Sequence, residues 1–213
     1  MPRRTVWDHA IELLPNTPKS LAERLLRLPQ DEIREIEKFT VEHLQQGTIR
    51  VGKGPYAASF FFVKKADGKL QPVQDYRPLN KYTKKNRNVS PLIPQVINRL
   101  AGCTLFTKFD IRWGYNNIRI KEGNEWKAAF LMPQGLFEPL VMFFSLTNSS
   151  ATFQAMMNEI FRMEVAQGWL SVYMDNIAIH MKPLNGESEQ QYKLWHKLLP
   201  LLAQSNSKLK EKS

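Results

Sequence analysis

A short polar step between two apolar runs constrains the fold of this chain more than any other feature. Residues 173–176 (YMDN) lie between the apolar residues 169–172 (WLSV) and 177–180 (IAIH). Apolar and β-branched residues on both sides of a tight polar step predict a hairpin of two strands. An aspartate at the tip of such a hairpin is exposed to solvent and held rigidly. Phosphoryl-transfer sites use carboxylates in this setting to hold Mg²⁺, whose coordination is completed by water and substrate phosphates.

One carboxylate cannot hold such an ion alone, and a second apolar strand supplies a partner. Residues 105–111 (LFTKFDI) form an apolar run with an aspartate, Asp110, near its end. We predict that Asp110 and Asp175 lie together as metal ligands. The backbone carbonyl of Ile111 is expected to be a further ligand, because hard cations prefer oxygen donors.

The charge balance narrows the class of partner. The 213-residue chain carries 30 Lys and Arg against 20 Asp and Glu, a formal net charge of +10. This balance favours a polyanion such as nucleic acid, because neutralised phosphates release counterions, although an ordinary basic protein can have the same composition. The sequence contains no run of 18 apolar residues, so we expect no membrane partner.

The cysteine and histidine content argues against disulfide and zinc chemistry. Cys103 is the only cysteine, so no disulfide can form within the chain. We expect Cys103 to be a small buried residue rather than a reactive thiol, because it follows Gly102 at the end of an apolar helical pattern. The four histidines show no zinc-ligand spacing with it. These features, with no signal-peptide pattern, favour an intracellular location, cytoplasmic or nuclear.

Hydrophobic periodicity and turn residues predict the elements around the two strands. A helix is predicted over residues 30–46, with Ile33, Ile36, Phe39 and Leu44 on its buried face. An aromatic run over residues 60–63, followed by an Asp-Gly turn, predicts a further hairpin. Asp75 and Arg77 are predicted to form a structural pair on one strand face, and strands are predicted over 117–121 and 126–143. A short helix is predicted from about Ile93 to Gly102, and a final helix over 187–205. A further helix is predicted to begin near Thr147, Asn148 or Ser149 and to end at Gly168, with a buried face formed by Phe153, Met157, Ile160 and Phe161.

Five blocks of this sequence resemble the reverse transcriptases of gypsy-type LTR retrotransposons. Residues 173–176 are similar to their Tyr-x-Asp-Asp box, with Asn176 in place of the last aspartate, and residues 106–110 resemble the strand that carries their first catalytic aspartate. A lone Tyr-x-Asp-x would be a weak signal, but five blocks in the family's order between about residues 48 and 182 are specific. The other three blocks are residues 58–70, 74–80 and 141–154.

The resemblance implies an α+β fold with the fingers and palm of a right-hand polymerase, the palm being an antiparallel sheet backed by helices. It divides the chain into an N-terminal segment and helix (1–47), fingers (48–103), a palm (104–182), and a C-terminal helix and frayed tail (183–213). The thumb, RNase H domain and integrase that follow in the family are expected to be absent, and whether an oligomer or another chain supplies a thumb stays open.

The resemblance also implies an activity, which is nucleotidyl transfer from deoxynucleoside triphosphates to a primer 3′-hydroxyl on an RNA or DNA template. The implied cofactor is Mg²⁺ or Mn²⁺, used in a two-metal mechanism. A lysine in the fingers would reach the triphosphate, and an aromatic residue would lie under the sugar and exclude a 2′-hydroxyl. The implied catalytic positions are Asp110, Asp175 and Asn176, and the implied nucleotide-binding residues are Lys65, Gln71, Tyr115 and Phe144.

Four positions depart from the family pattern, and they leave three interpretations open. Glutamine cannot make the bidentate, charge-assisted hydrogen bonds that arginine makes with phosphate, and asparagine lacks the negative charge of aspartate. The chain could be a working polymerase fragment, a catalytically weak nucleic-acid-binding module, or a decayed copy with no selected function. The departures are Gln71 for arginine, Ser145 for glycine, Ser150 for proline and Asn176 for aspartate.

Overall fold

The computed structural model describes residues 1–66, 68–86, 93–111, 113–182, 193 and 209–211. The chain divides into two compact units, each built from two segments of sequence. The first unit comprises Met1–Asn86 and Tyr115–Ser149, and the second unit comprises Arg87–Gly114 and Ser150–Ser213.

Ten strands and five α-helices lie within the described residues, together with two short turns of 3₁₀ helix, at Gly114–Asn117 and Glu125–Ala128. The helices are α1 (Gln30–Gln45), α2 (Arg77–Tyr82), α3 (Ile93–Leu100), α4 (Ser149–Ile160) and α5 (Arg162–Gln167). The strands are β1 (Leu21–Ala22), β2 (Ile49–Val51), β3 (Tyr56–Lys64), β4 (Leu70–Asp75), β5 (Leu105–Ile111), β6 (Phe130–Met132), β7 (Gly135–Pro139), β8 (Leu170–Tyr173), β9 (Asn176–Met181) and β10 (Leu209–Glu211).

A six-stranded mixed sheet organises the first unit. Its strands follow the order β1-β3-β6-β7-β2, and β4 pairs with β3 as an antiparallel hairpin. The predicted hairpin is therefore confirmed, with Val63 opposite Gln71 and a turn closed by the bond from the Lys65 N–H to the Lys69 carbonyl. The N-terminal segment is fixed to the same unit, because the His9 N–H donates to the Arg119 carbonyl at 2.7 Å.

Aromatic rings fill the core of the first unit. Phe130 lies with its ring centroid 5.7 Å from that of Phe60, 6.5 Å from that of Phe137 and 6.2 Å from that of Phe143. All four side chains are buried. Burying one such side chain stabilises a fold by about 1.5–3 kcal/mol, so this cluster is a large contribution to the unit's stability.

Three sequence predictions for the first unit need correction. The helix over residues 30–46 is confirmed as α1, but Leu44 is exposed and His43 is buried in its place, because the buried face follows Ile36, Phe39 and His43. Asp75 and Arg77 do form an ion pair, yet Asp75 ends β4 and Arg77 begins α2, so they do not share a strand. The strands expected over residues 117–121 and 126–143 are shorter than predicted: β6 and β7 form, whereas Arg119 and Ile120 make isolated bridges and Glu125–Ala128 is 3₁₀ helix.

A four-stranded antiparallel sheet organises the second unit. The strand order is β10-β5-β9-β8, and each neighbouring pair is antiparallel. The hairpin predicted around residues 173–176 is confirmed as β8 and β9. Helix α4 follows as predicted, with Phe153 and Met157 buried, and α3 is confirmed with Gly102 in a left-handed conformation beyond its end.

The second unit also departs from the sequence predictions. Ile160 is half exposed, because the helix breaks near Phe161 and restarts as α5 before Gly168 ends it with a φ of +80°. Residues 209–211 form β10 beside β5, where a frayed tail was expected. The helix predicted over 187–205 lies outside the described residues except for Lys193. Among the described residues, we find no helix that could serve as a membrane span.

Candidate active site

The tip of the hairpin in the second unit holds the first predicted site residue. Tyr173 pairs with Asn176 across β8 and β9, so Met174 and Asp175 form a two-residue turn. Met174 has a φ of +54°, a left-handed conformation that tight hairpin turns require and that residues with a Cβ adopt reluctantly. The turn therefore fixes the position of Asp175 at one end of the sheet.

The strand beside the hairpin brings the second predicted carboxylate to the same end of the sheet. Asp110 lies directly opposite Asn176 in the pairing of β5 with β9. The N–H of Ile111 donates to the carbonyl of Asp175 at 2.8 Å, which joins the end of β5 to the turn. Asp110, Ile111, Asp175 and Asn176 are thus brought together in one unit by backbone pairing.

Two polar contacts set the charge of this cluster. Lys108 lies two residues before Asp110 on the same strand face, and its Nζ is 3.5 Å from Oδ1 of Asp110. The amide Nδ2 of Asn176 donates to Oδ1 of Asp175 at 3.3 Å. The side chain of Asp110 is 28% exposed and that of Lys108 is 66% exposed. Two carboxylates, one ammonium and one neutral amide therefore meet at an edge that water can reach.

Gln154 is a site residue for which the sequence patterns predicted no role. Its Oε1 accepts the N–H of Met174 at 2.7 Å, and its Nε2 donates to the carbonyl of Val172 at 3.3 Å. The side chain is buried, so it holds both sides of the hairpin turn from helix α4. The one signal in the sequence was a glutamine next to Phe153 on the face of the helix that also buries Met157.

The donor set fits a hard divalent cation in part. The carboxylates of Asp110 and Asp175, the carbonyl of Ile111 and the Oδ1 of Asn176 are oxygen donors of the kind that Mg²⁺ prefers. Within the described ranges, no group of three or more His, Cys, Asp and Glu side chains could hold a metal ion. An aspartate at position 176 would add a third acidic group opposite Asp110 and next to Asp175.

Two of the four implied nucleotide-binding residues lie on the β3–β4 hairpin of the first unit. Lys65 follows the last residue of β3 and is exposed, and Gln71 lies on β4 opposite Val63 with a half-buried side chain. Both belong to one hairpin, so they lie near its turn on the surface of the first unit.

The other two, Tyr115 and Phe144, lie on loops of the first unit. Tyr115 is half-buried in the 3₁₀ turn, and Phe144 is 45% exposed between the buried Phe143 and the half-buried Ser145. The loop around Phe144 is held by Asn80, whose side chain donates to the carbonyl of Ser145 at 2.9 Å and accepts the Thr147 N–H at 2.8 Å. Sequence analysis did not single out this role of Asn80.

Ser145, one of the four departures, carries a buried hydroxyl. Its Oγ lies out of contact with water and has no hydrogen-bond partner within the described part of the chain. A buried hydroxyl without a partner costs about 1–3 kcal/mol. Glycine at this position would remove that cost, so the departure is unfavourable for the loop that presents Phe144.

Cys103 lies at the other end of β5 and differs from its predicted setting. It is half-buried rather than buried, and its Sγ is 3.6 Å from Nδ1 of His180. The Nε2 of His180 lies 2.9 Å from Oγ of Ser171, and burial lowers the pKa of His180. These contacts stabilise the β8–β9 pair at the end of the sheet away from Asp175.

Comparison with known proteins gives one family and a consistent fold. The family model described as "Reverse transcriptase (RNA-dependent DNA polymerase)" matches residues 63–212. The "Transposon Tf2-7 polyprotein" of Schizosaccharomyces pombe is 41% identical over 155 residues, which are 73% of this chain and 12% of the polyprotein. The "Transposon Tf2-3 polyprotein" of the same organism is 39% identical over 155 residues, with the same coverage.

Solved structures agree with this family at the level of the fold. A foamy viral protease–reverse transcriptase in complex with an RNA/DNA hybrid superposes with a TM-score of 0.76 at 20% identity, over 92% of this chain and 26% of that one. A foamy viral protease–reverse transcriptase in complex with double-stranded DNA gives a TM-score of 0.78 at 20% identity, over 95% of this chain and 34% of that one. The chain therefore spans about an eighth of its curated relatives and about a third or less of these structures.

Proposed function

The chain belongs to the reverse transcriptase (RNA-dependent DNA polymerase) family, and we propose that it carries out template-directed addition of deoxynucleotides to a primer 3′-hydroxyl. One observation carries this proposal: Asp110 and Asp175 lie at the same end of an antiparallel sheet, joined by the bond from the Ile111 N–H to the Asp175 carbonyl. This is the arrangement of carboxylates that phosphoryl transfer with divalent ions requires.

Asp110, Asp175 and the carbonyl of Ile111 are the groups that would hold Mg²⁺ or Mn²⁺. When bound, such ions lower the pKa of a 3′-hydroxyl and neutralise a triphosphate and its leaving group. The work of the protein is then to fix the carboxylates, which the β5–β9 pairing and the clamp of Gln154 on the turn support.

We propose that Asn176 reduces the activity without removing the fold. Two divalent ions about 4 Å apart repel strongly, and a third carboxylate would offset part of that repulsion. Asn176 keeps a carbonyl oxygen but brings no charge, and the ammonium of Lys108 near Asp110 subtracts further from the negative charge of the cluster. We expect slow primer extension that needs a high concentration of the divalent ion.

The nucleotide and the template would be held by the first unit and by the overall charge. We assign Lys65 and Gln71 to the triphosphate, and Tyr115 and Phe144 to the sugar and base, on the basis of their exposure or partial exposure on loops and a hairpin end. A net charge of +10 favours an RNA or DNA template with its primer, because neutralised phosphates release counterions. Deoxynucleoside triphosphates are the proposed substrates.

Primer extension on an RNA template, with Mg²⁺ or Mn²⁺, tests this proposal. The chain as it stands is compared with Asn176→Asp and with Asp110→Asn as the inactive control. Extension above the control is expected for the native chain, and stronger extension for Asn176→Asp. If no variant extends the primer while all of them bind the primer–template, the polymerase proposal for this chain fails.

A second candidate function is a catalytically inactive module that binds nucleic acid. The neutral Asn176 and the uncharged Gln71 favour it, because both lower the charge complementarity needed for metal and triphosphate. Binding to a primer–template that weakens with salt, without extension by the native chain or by Asn176→Asp, would support this candidate.

A further inference from the structure

Trp113 is an exposed aromatic residue just beyond the strand that carries Asp110. Its side chain is 60% exposed and its φ is +55°. A left-handed backbone is unfavourable for a residue with a Cβ, and a large exposed indole gains little from the hydrophobic effect. Strain and exposure together at one residue point to a role outside the core.

Two residues close to Trp113 in the chain, Ile111 and Gly114, are held by contacts within the second unit. On one side, the Ile111 N–H donates to the carbonyl of Asp175 at 2.8 Å. On the other side, Gly114 is buried against Phe153, and a Cβ at Gly114 would come within 2.8 Å of the ring atom Cζ of Phe153. Trp113 therefore lies between two positions, Ile111 and Gly114, that are each held by contacts within the second unit.

The other tryptophans of the described part have different settings. Trp126 packs edge-on against the ring of Tyr56, and Trp169 donates its indole N–H to Oε1 of Gln167. Trp7, Trp126 and Trp169 are all half-buried, and among these four Trp113 alone is exposed. A general excess of surface aromatics therefore does not explain Trp113.

We propose that Trp113 is a stacking platform for an unpaired nucleobase of the bound nucleic acid. Two features of the molecule favour a base as the occupant. The ring of Trp113 lies on the loop that continues β5 from Asp110, and the net charge of +10 favours binding of a polyanion. Every nucleobase presents a flat π face, and an exposed indole offers a complementary flat face on which a base can stack. This assignment rests on the proposed binding of nucleic acid, but not on catalysis.

Binding of two oligonucleotides tests the platform without using activity. One is a labelled single-stranded DNA of about 12 nucleotides, and the other is an abasic strand of the same length and charge. Trp113→Leu removes the aromatic face, Trp113→Phe keeps one, and Met163→Leu is a matched change at another exposed apolar residue of the same unit. Trp113→Leu is expected to weaken binding of the base-containing strand by roughly five- to a hundredfold. Trp113→Phe should retain most of it, and Met163→Leu all of it.

Trp113→Gly separates the platform from a structural role. Glycine accepts a φ of +55° without strain, so this variant is expected to melt at the same or a higher temperature than the native chain. It should still lose the same binding as Trp113→Leu. A variant that gains stability and loses affinity for bases cannot be explained by loss of folding.

The outcomes distinguish this inference from the proposed function. Equal binding of the base-containing strand by the native chain, Trp113→Leu and Trp113→Gly overturns the platform, and salt-dependent binding in the same assay leaves the proposed function intact. An equal loss on the abasic strand also overturns it, because the abasic strand offers no face to stack. If the native chain binds neither strand at about 50 mM salt, the platform fails, and the primer–template assay still decides the proposed function separately.

Discussion

The carboxylates of the first unit and those of the second unit are held in opposite ways. In the first unit, Glu125 and Glu138 are buried, and each lies against a guanidinium: Glu125 is 3.2 Å from Arg4, and Glu138 is 2.8 Å from Arg50. In the second unit, Asp110 lies at an accessible edge beside an exposed lysine ammonium, and Asp175 accepts from a neutral amide.

This difference separates structural carboxylates from those available for chemistry. A buried carboxylate must be neutralised by a fixed partner, and a guanidinium supplies both charge and geometry. A carboxylate that must accept a metal ion needs a partner that can leave, and a lysine on a mobile stem suits that role. The contrast predicts that changes in the first unit affect stability, whereas changes at the hairpin affect metal binding more than stability.

The largest expected effect comes from breaking the ion network of the first unit. Glu125→Gln removes the carboxylate that Arg4 shares with Arg50, and we expect the free energy of unfolding to fall by about 3 kcal/mol, the low end for a broken buried pair because both arginines are partly exposed. Urea unfolding followed by tryptophan fluorescence measures this. Glu122→Gln, at an exposed partner of Arg4, should change stability by less than about 0.5 kcal/mol. A similar loss in both variants would contradict the contrast.

Acid should act on a buried histidine of the first unit. Burial lowers the pKa of His9 to about 4, against about 6.5 in the unfolded chain. As the pH decreases, the unfolded state therefore binds the proton before the folded state does. The contribution of His9 to the free energy of unfolding is full above about pH 6.5 and falls by about 3 kcal/mol as the pH decreases to about 4.

Thermal melts across this pH range check the contribution of His9. His9→Leu cannot titrate and should flatten most of the slope between pH 7 and pH 4. His180, whose pKa is also lowered by burial, acts in the same direction and should leave a smaller residual slope. The same steep slope in His9→Leu as in the native chain would show that His9 is not the cause.

A smaller loss of stability is expected at the clamp on the hairpin turn. Gln154→Leu keeps the size of the side chain but leaves the Met174 N–H and the Val172 carbonyl without this partner, at a cost of about 2 kcal/mol. Chemical unfolding measures the loss, and Mn²⁺ binding followed by electron paramagnetic resonance should weaken with it. Asn158→Ala removes the contact that the same glutamine makes with the exposed residue Asn158, and should cost less than about 0.5 kcal/mol. If Asn158→Ala lowers stability as much as Gln154→Leu does, the hydrogen bonds of Gln154 to Met174 and Val172 do not explain the loss.

The smallest effect is expected at Asn176 and depends on metal. Without divalent ions, Asn176→Asp adds a like charge beside Asp175 and opposite Asp110, and should lower stability by up to about 1 kcal/mol. Addition of Mg²⁺ should reverse the sign of this stability difference, because the aspartate of the variant would give the metal ion an additional carboxylate ligand.

Melting temperatures with and without Mg²⁺ test this sign change. Asn158→Asp introduces the same change at an exposed site of the same unit and serves as the control. A higher melting temperature for Asn176→Asp in the absence of metal would refute the assignment of a repulsive acidic cluster.

The parts of the site that depend on local pattern could be predicted from the sequence. The apolar runs on either side of residues 173–176 predicted the hairpin, and the apolar run over 105–111 predicted the strand of Asp110. The need of a metal ion for a second carboxylate, and then the resemblance, indicated that the two strands lie together. Local pattern was sufficient here because turn residues and side-chain alternation act over a few residues.

The contacts that sequence analysis missed join residues far apart in the chain. Gln154 and Asn80 are ordinary polar residues until the fold brings the Met174 N–H and the Ser145 carbonyl to them. The exchange of Leu44 for His43 in the buried face of α1 has a more local cause, because the 2.7 Å contact of His43 with Thr48, five residues later, makes a polar residue acceptable there. Such compensation cannot be read from hydrophobic periodicity alone.

The strand order of the second sheet has a consequence for synthesis on the ribosome. Strand β5 lies between β9 and β10, and both neighbours follow it in the chain, β9 ending about 70 residues later. At about 5–20 residues per second, β5 leaves the ribosome several seconds before either of its neighbours. Phe109 of β5, which is buried in the complete fold, is exposed through that interval, whereas the first unit is complete once residue 149 has emerged. Nascent chains stalled between residues 111 and 176 should therefore need a chaperone more than shorter or longer ones.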